Sequence, residues 1–236
     1  YINDTNHFVD ETVADAVHPG DTIYYTFKKE VDISTPDSTY QLVGQILTKV
    51  GDDTQNDMAL GDAVENYRIE GIPYYYAFND AKRNKHWTFA NGSNELSKWN
   101  IENFYFAYDG NYDLKHTNYG TGKSDDWAYS ECIHLPAGKY DVSMFYRGRT
   151  YFAGDEYNQS FEVKMGKECS ADAMNIEIGK SVDEDIYQPA YRKMSKEIEI
   201  TEDGDYFIGF HSTGIGNNGE THIDGVSITP VTEGVS

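Results

Sequence analysis

Apolar residues recur at every second position through most of the chain, and no stretch carries the three-to-four spacing of an amphipathic helix. The alternation predicts strands at Thr22–Phe27, Tyr40–Val50, Tyr74–Phe78, Asn103–Tyr108, Trp127–Ile133, Tyr140–Tyr146, Phe161–Met165, Lys196–Thr201, Tyr206–His211 and His222–Ile228. Turn residues separate them: HPGD from His18, PDS from Pro36, DGN from Asp109, PAG from Pro136, EDG from Glu202 and GNNG from Gly216. Short strands divided by Gly, Pro, Asn and Asp predict antiparallel sandwiches with almost no helix.

One phrase occurs twice. AGKYDVSMFYRG (Ala137–Gly148) returns as DGDYFIGFHSTG (Asp203–Gly214), each with a Gly, one residue, a Tyr and then alternating apolar residues. Val142 and Met144 follow Tyr140, and Ile208 and Phe210 follow Tyr206. A weaker copy, PDSTYQLVGQIL, sets Tyr40, Leu42 and Ile46 in step. The copies are unequally spaced and their flanks differ, so they are not a solenoid repeat. They match the tyrosine corner of Greek-key sandwiches, whose hydroxyl bonds back to the backbone a few residues upstream. Each is expected to mark a crossing between sheets.

Strand content divides the chain near Gly61–Gly71. Residues 1–66 hold too few strands for a complete sandwich and read as the end of an immunoglobulin-like domain. Residues 71–231 suffice for a jelly-roll β-sandwich. The predicted fold class is therefore all-β: a jelly roll preceded by a partial immunoglobulin-like sandwich.

Composition narrows the function. Hydrophobic residues make up 39% of the chain and charged residues 25%, a globular balance. The 20 tyrosines and 11 phenylalanines suit pleated surfaces. Forty acids against 19 bases give a net charge of −21. Phosphate backbones and anionic lipids are repelled by such a chain, which argues against nucleic-acid partners and membrane binding. No apolar run is long enough for a spanning helix, which excludes direct insertion of that kind. There is no signal peptide and no initiator Met, so the chain reads as a monomeric piece cut from a longer precursor, and export stays open. Cys132 and Cys169 lie outside any CxxC and are too few for a closed zinc site. They either form one disulfide or remain two buried thiols.

The order of motifs resembles a known family. GIPYYYAFND (Gly71–Asp80), W-x11-W (Trp87 to Trp99), SDDWAYSECIHLPAGKYDVSMFYRG, DGDYFIGFHSTG and HIDGVSITP follow one another as in cleaved-adhesin and choice-of-anchor J domains, relatives of MAM-type jelly rolls. The likeness covers about residues 71–230. PGDTIYYTF and TYQLVGQILTKVGDDTQND resemble the immunoglobulin-like domains that often precede such jelly rolls. The resemblance implies an exported protein, extracellular or on the surface of a Gram-negative bacterium. It also implies a structural calcium ion tying the end of the first strand to the last strand, which by position falls to Asp80 and Asp224. The sequence departs from the family between the tryptophans, where NGSNE (Asn91–Glu95) carries a single carboxylate.

Catalytic chemistry finds little support. The histidines are scattered, and neither GxSxG nor HExxH is present. Paired carboxylates are unremarkable among 40 acids. DGNYD (Asp109–Asp113) is a fragment of a calcium-loop pattern without a distal Glu, and GDDTQND (Gly51–Asp57) reads as a solvated turn. Trp87, Trp99 and Trp127 read as packing residues. Tyr105, Tyr108 and Tyr112, in NFYFAYDGNY, are the candidates for an exposed ligand platform. The expected function is a non-catalytic extracellular recognition or adhesion module for a glycan or a host or bacterial surface protein. The alternative is a structural spacer presenting other domains of a larger surface protein or secreted hydrolase.

Overall fold

The computed structural model describes residues 9–13, 18, 21–31, 33, 38–46, 58–92, 96–119, 122–150, 159–181, 190–215 and 219–232. The chain divides into two compact units, Tyr1–Tyr67 and Arg68–Ser236. The expected turn at Gly51–Asp57, and most of Gly216–Gly219 and of Asn91–Glu95, lie outside the described residues.

In the first unit, β1 (Ser38–Gln45) pairs antiparallel with β2 (Met58–Asn66). The strand expected at Thr22–Phe27 is not formed. Just beyond it, the backbone N–H groups of Lys28 and Lys29 donate to Glu11 Oε1 at 2.8 and 2.7 Å, and the Tyr25 hydroxyl donates to Glu11 Oε2 at 2.7 Å. The third copy of the repeated phrase also departs from expectation. Tyr40 is buried, but Leu42 and Ile46 are exposed.

The second unit is an antiparallel jelly-roll sandwich. Its elements are β3 (Tyr74–Tyr76), α1 (Ala81–Asn84), β4 (Thr88–Asn91), β5 (Ser97–Asn103), β6 (Tyr112–Asn118), β7 (Asp126–Tyr129), β8 (Ile133–Leu135), β9 (Gly138–Thr150), β10 (Phe161–Gly166), β11 (Met174–Lys180), β12 (Arg192–Ile200), β13 (Gly204–Ser212) and β14 (Gly219–Pro230). The first sheet runs β11-β10-β13-β7-β4 with β8 on β13, and the second runs β12-β9-β14-β6-β5 with β3 on β14. The only helical pieces among the described residues are the single turn α1 and a 3-10 turn at Ala171–Ala173.

Strands β2, β4, β5, β6 and β11 were not legible as alternation. β5 (SKWNIEN) and β6 (YDLKHTN) place polar residues on both faces, so the period-two signal fades. Asn103–Tyr108, expected as a strand, instead ends β5 and turns. Phe104 N–H donates to the Asn111 carbonyl at 2.8 Å and Ala107 N–H to the Phe104 carbonyl at 3.0 Å.

The two tyrosine corners are real and they are neighbours. Tyr140 donates to the Pro136 carbonyl at 2.8 Å, and Tyr206 to the Glu202 carbonyl at 2.9 Å. At Tyr140 the chain passes from the first sheet (β8) to the second (β9). At Tyr206 it returns from the second (β12) to the first (β13). The pieces pair on both sheets: Gly204 opposes Leu135, and Ile200 opposes Gly138. The phrase is therefore written twice because two antiparallel ribbons turn the same corner side by side. Behind each tyrosine, Val142, Met144, Ile208 and Phe210 are wholly buried and meet in one core with Trp99, Leu114, Ile223 and Ile228.

Candidate functional site

The second sheet turns one face to this core. Its other face is built from the alternate residues. Across β5, β6, β14 and β9 one row reads Asn100, Lys115, His222, Arg147, and beside it Glu102 opposes Asp113 and Asp224 opposes Phe145. Most strand faces opposite a core are wet. This one is covered: Asp113, His222 and Asp224 are wholly buried, and Glu220 and Arg147 nearly so.

Buried charges need partners, and here they form a network. His222 Nδ1 lies 2.7 Å from Asp113 Oδ2, and Nε2 lies 3.4 Å from Glu220 Oε2. Burial pulls the His222 pKa down, but the two flanking carboxylates outweigh it and the pKa is raised. Lys115 Nζ lies 3.2 Å from Glu220 Oε1 and also pairs with Glu102. Tyr191 donates to Asp113 Oδ2 at 3.1 Å. Asp224 accepts from the backbone N–H groups of Asp109 (2.9 Å) and Gly225 (2.7 Å). Burial pushes its pKa up to about 7 against those donors.

The turn after β5 forms the roof. Phe104 stacks on His222 with centroids 3.9 Å apart, and Tyr108 stacks on Phe145 at 3.7 Å. The Arg147 guanidinium lies 5.4 Å from the Phe104 ring centre, 6.0 Å from Phe106 and 5.6 Å from Tyr191. Such cation–π contacts hold an arginine without a counter-ion. Gly225 makes the close approach possible. It sits at a break in the β14–β9 register with φ of +57°, and a Cβ there would come within 3.1 Å of Phe145 and 3.3 Å of Tyr108. The outer roof is open to solvent: Tyr105 is 82% exposed, Phe106 58% and Tyr108 47%.

No protein-family profile matches the chain, and no curated protein matches it either. Solved structures do. The K1 cleaved-adhesin domain of Lys-gingipain from Porphyromonas gingivalis is similar at 15% identity, with 69% of this chain and 100% of that domain covered and a TM-score of 0.49. The CBM22-1 xylan-binding domain of Paenibacillus barcinonensis Xyn10C is similar at 14% identity, over 70% and 98%, with a TM-score of 0.46. The TmCBM61 module in complex with β-1,4-galactotriose is similar at 16% identity, over 63% and 91%, with a TM-score of 0.44.

Of the three tyrosines singled out from the sequence, Tyr105 and Tyr108 sit together in the roof. Tyr112 is 40% exposed but shares the inward parity of Leu114 and His116, opposite to that of Asp113. The sequence reading did not single out Phe104, Phe106, Arg147 or Tyr191; it offered Asp113 only as part of the DGNYD fragment and left His222 among the scattered histidines. The available signal was Glu220-x-His222-x-Asp224, a charged alternation at the start of a strand that ends in Val226-x-Ile228.

Asp80 and Asp224 both accept from backbone N–H groups. Asp80 Oδ1 caps α1, taking Lys82 N–H at 2.9 Å and Arg83 N–H at 3.4 Å. Beside them, Asn79 Nδ2 donates to the Ala77 carbonyl (2.8 Å) and the Asp109 carbonyl (2.9 Å), and Asn79 Oδ1 accepts from Asn111 N–H at 2.9 Å. Tyr75 donates to Asp109 Oδ2 at 2.7 Å. The end of β3 is thus tied to the 109–111 turn by an amide, and that turn to β14 by Asp224. Asp80 Oδ1 and both Asp224 oxygens are thus each engaged by an N–H donor. Among the described residues no group of three or more His, Cys, Asp or Glu is placed to hold a metal ion.

A second polar cluster lies between the sheets. His116 stands between Ser212 (3.2 Å from Nδ1) and Asp126 (3.0 Å from Nε2), and Ser97 donates to Asp126 at 2.6 Å. The order mimics a nucleophile–base–acid triad. Yet Ser97, His116 and Asp126 are wholly buried and Ser212 nearly so, and burial lowers the His116 pKa. The cluster is a hydrogen-bonded plug in the core, closed to substrate.

Proposed function

We propose that this chain is a non-catalytic recognition module that binds a glycan through the roof of the second sheet. The observation that carries the proposal is the placement of Tyr105, Phe106 and Tyr108. Their rings are exposed, yet the turn that bears them is stacked onto a buried charged floor. Flat aromatic faces suit the C–H faces of sugar rings. The acids beneath support a non-catalytic role, since Asp113 is held by His222, and Glu220 by Lys115. The ordered motifs quoted from the sequence support an exported module of a larger surface protein.

A glycan array probed with the 236-residue chain tests this. Binding should fall below detection in Tyr105→Ala and Phe106→Ala, with the melting temperature nearly unchanged. A large loss of melting temperature in both would mark the rings as packing residues. Turnover of any bound glycan, lost on replacing Asp113 or Glu220, would overturn the non-catalytic reading.

A further inference from the structure

Three polar atoms of this face have no hydrogen-bond partner: Asn100 Oδ1 at its β5 edge, and two on residues around His222. Asp113 is wholly buried; its Oδ2 accepts from His222 and Tyr191, while Oδ1 meets no donor. Arg147 is 8% exposed, and its Nε–H meets no acceptor. Asp113 reaches His222 through its hydrogen bond, and Arg147 is the direct cross-strand partner of His222 on β9. Tyr191 joins them again, with its hydroxyl on Asp113 and its ring beside the Arg147 guanidinium. An unpaired donor and an unpaired acceptor so deep in a fold are costly. Arg147 lies against the roof rings Phe104 and Phe106, and Asp113 against Tyr191, which packs edge-on to Tyr108.

The chemistry of the pair selects what completes it. Asp113 Oδ1 takes a donor, and Arg147 Nε–H takes an acceptor. An anion is repelled by the first residue and a cation by the second. A neutral group that presents a donor beside an acceptor suits both, and adjacent ring hydroxyls do so because every hydroxyl is both. We infer that Asp113 and Arg147 form a covered subsite for a vicinal diol of a neutral sugar, reached when the 104–108 turn swings aside. The inference rests on the glycan reading of the roof and adds a polar contact to it. The roof is suited to such a movement. It belongs to no ladder and is held by ring stacking and a few backbone hydrogen bonds. Swinging it aside would set its rings against a sugar whose hydroxyls face the floor.

Calorimetric titration of the 236-residue chain with xylotriose, β-1,4-galactotriose, cellotriose and mannotriose tests this, followed by monodeoxy forms of whichever trisaccharide binds. Arg147→Lys keeps the charge and removes the Nε–H group; Asp113→Asn removes the anionic acceptor. Each should weaken binding about tenfold or more, the worth of a hydrogen bond to a charged group. One monodeoxy sugar should show a similar loss on the wild-type chain and none on Arg147→Lys. If Asp113→Asn fails to fold, the Arg147→Lys cycle decides alone. Loss of binding in Tyr105→Ala with no effect of Arg147→Lys or of any deoxy sugar would overturn the subsite and leave the roof reading standing. No binding of any trisaccharide, or binding only of unstructured peptides, would overturn both.

Discussion

At the scale of single residues, the corner tyrosines show how much one hydroxyl does. The Tyr140 and Tyr206 rings are buried, and each hydroxyl satisfies a carbonyl four residues upstream at a sheet crossing. Tyr140→Phe and Tyr206→Phe keep the ring and orphan that carbonyl. Each should cost about 1 kcal/mol in chemical denaturation. The corners are paired, so the double variant should depart from the sum of the two; additivity is expected only of residues that share no partners. Equal stability of wild type and both single variants would mean that the hydroxyls hold nothing. Tyr40 belongs to a different case. Its ring is buried, but the apolar residues in step with it are not, and the repeated phrase by itself did not reveal that difference.

Among the elements, the 109–111 turn is where β3 and β14 are tied. Asn79 supplies both amide hydrogens and the acceptor, and Gly110 leaves room for it at φ of +80°, where a Cβ would overlap the Asn79 side chain. A hydrogen-bonded tie implies that melting in calcium and in chelator should coincide, whereas Asn79→Ala should lower the midpoint by about 1–3 kcal/mol of lost stability. A midpoint that falls on chelation would show that a cation holds this end after all. The sandwich itself was legible in the sequence, because β9 and β13 alternate throughout and β14 does so on either side of Gly225, and their inward apolar residues are the core. The site was only half legible. NFYFAY announced exposed rings, and two of the three chosen tyrosines lie in the roof. The floor was hidden because a charged alternation normally means a wet face. Only the return of the 104–108 turn over it, a long-range event, makes those charges buried.

For the whole molecule, buried titrating groups set the response to pH. Asp224 has its pKa raised to about 7, and that of His222 is raised as well. The folded chain therefore binds protons at both before the unfolded chain does. Their stabilisation is present at lower pH and is lost as pH rises through the folded-state values. His116, lowered by burial, acts in the opposite sense and costs stability as pH falls below its ordinary range. Melting temperature should fall as pH is raised from about 6 to about 9, and His222→Gln should flatten that slope. An identical slope in the variant would remove the floor from the account. One feature of the fold has a mechanical meaning. Strand β3 and strand β14, the first and last of the sandwich, pair antiparallel with Tyr74 opposite Ile228 and Tyr76 opposite Val226. The chain enters and leaves the sandwich side by side. Within a longer polypeptide the module would hang as a pendant rather than lengthen the strand that carries it. Tension along that polypeptide would meet the two backbone hydrogen bonds of Ile69 to Cys132 and His134 first, and then load the β3–β14 bonds one after another, as a zipper is loaded.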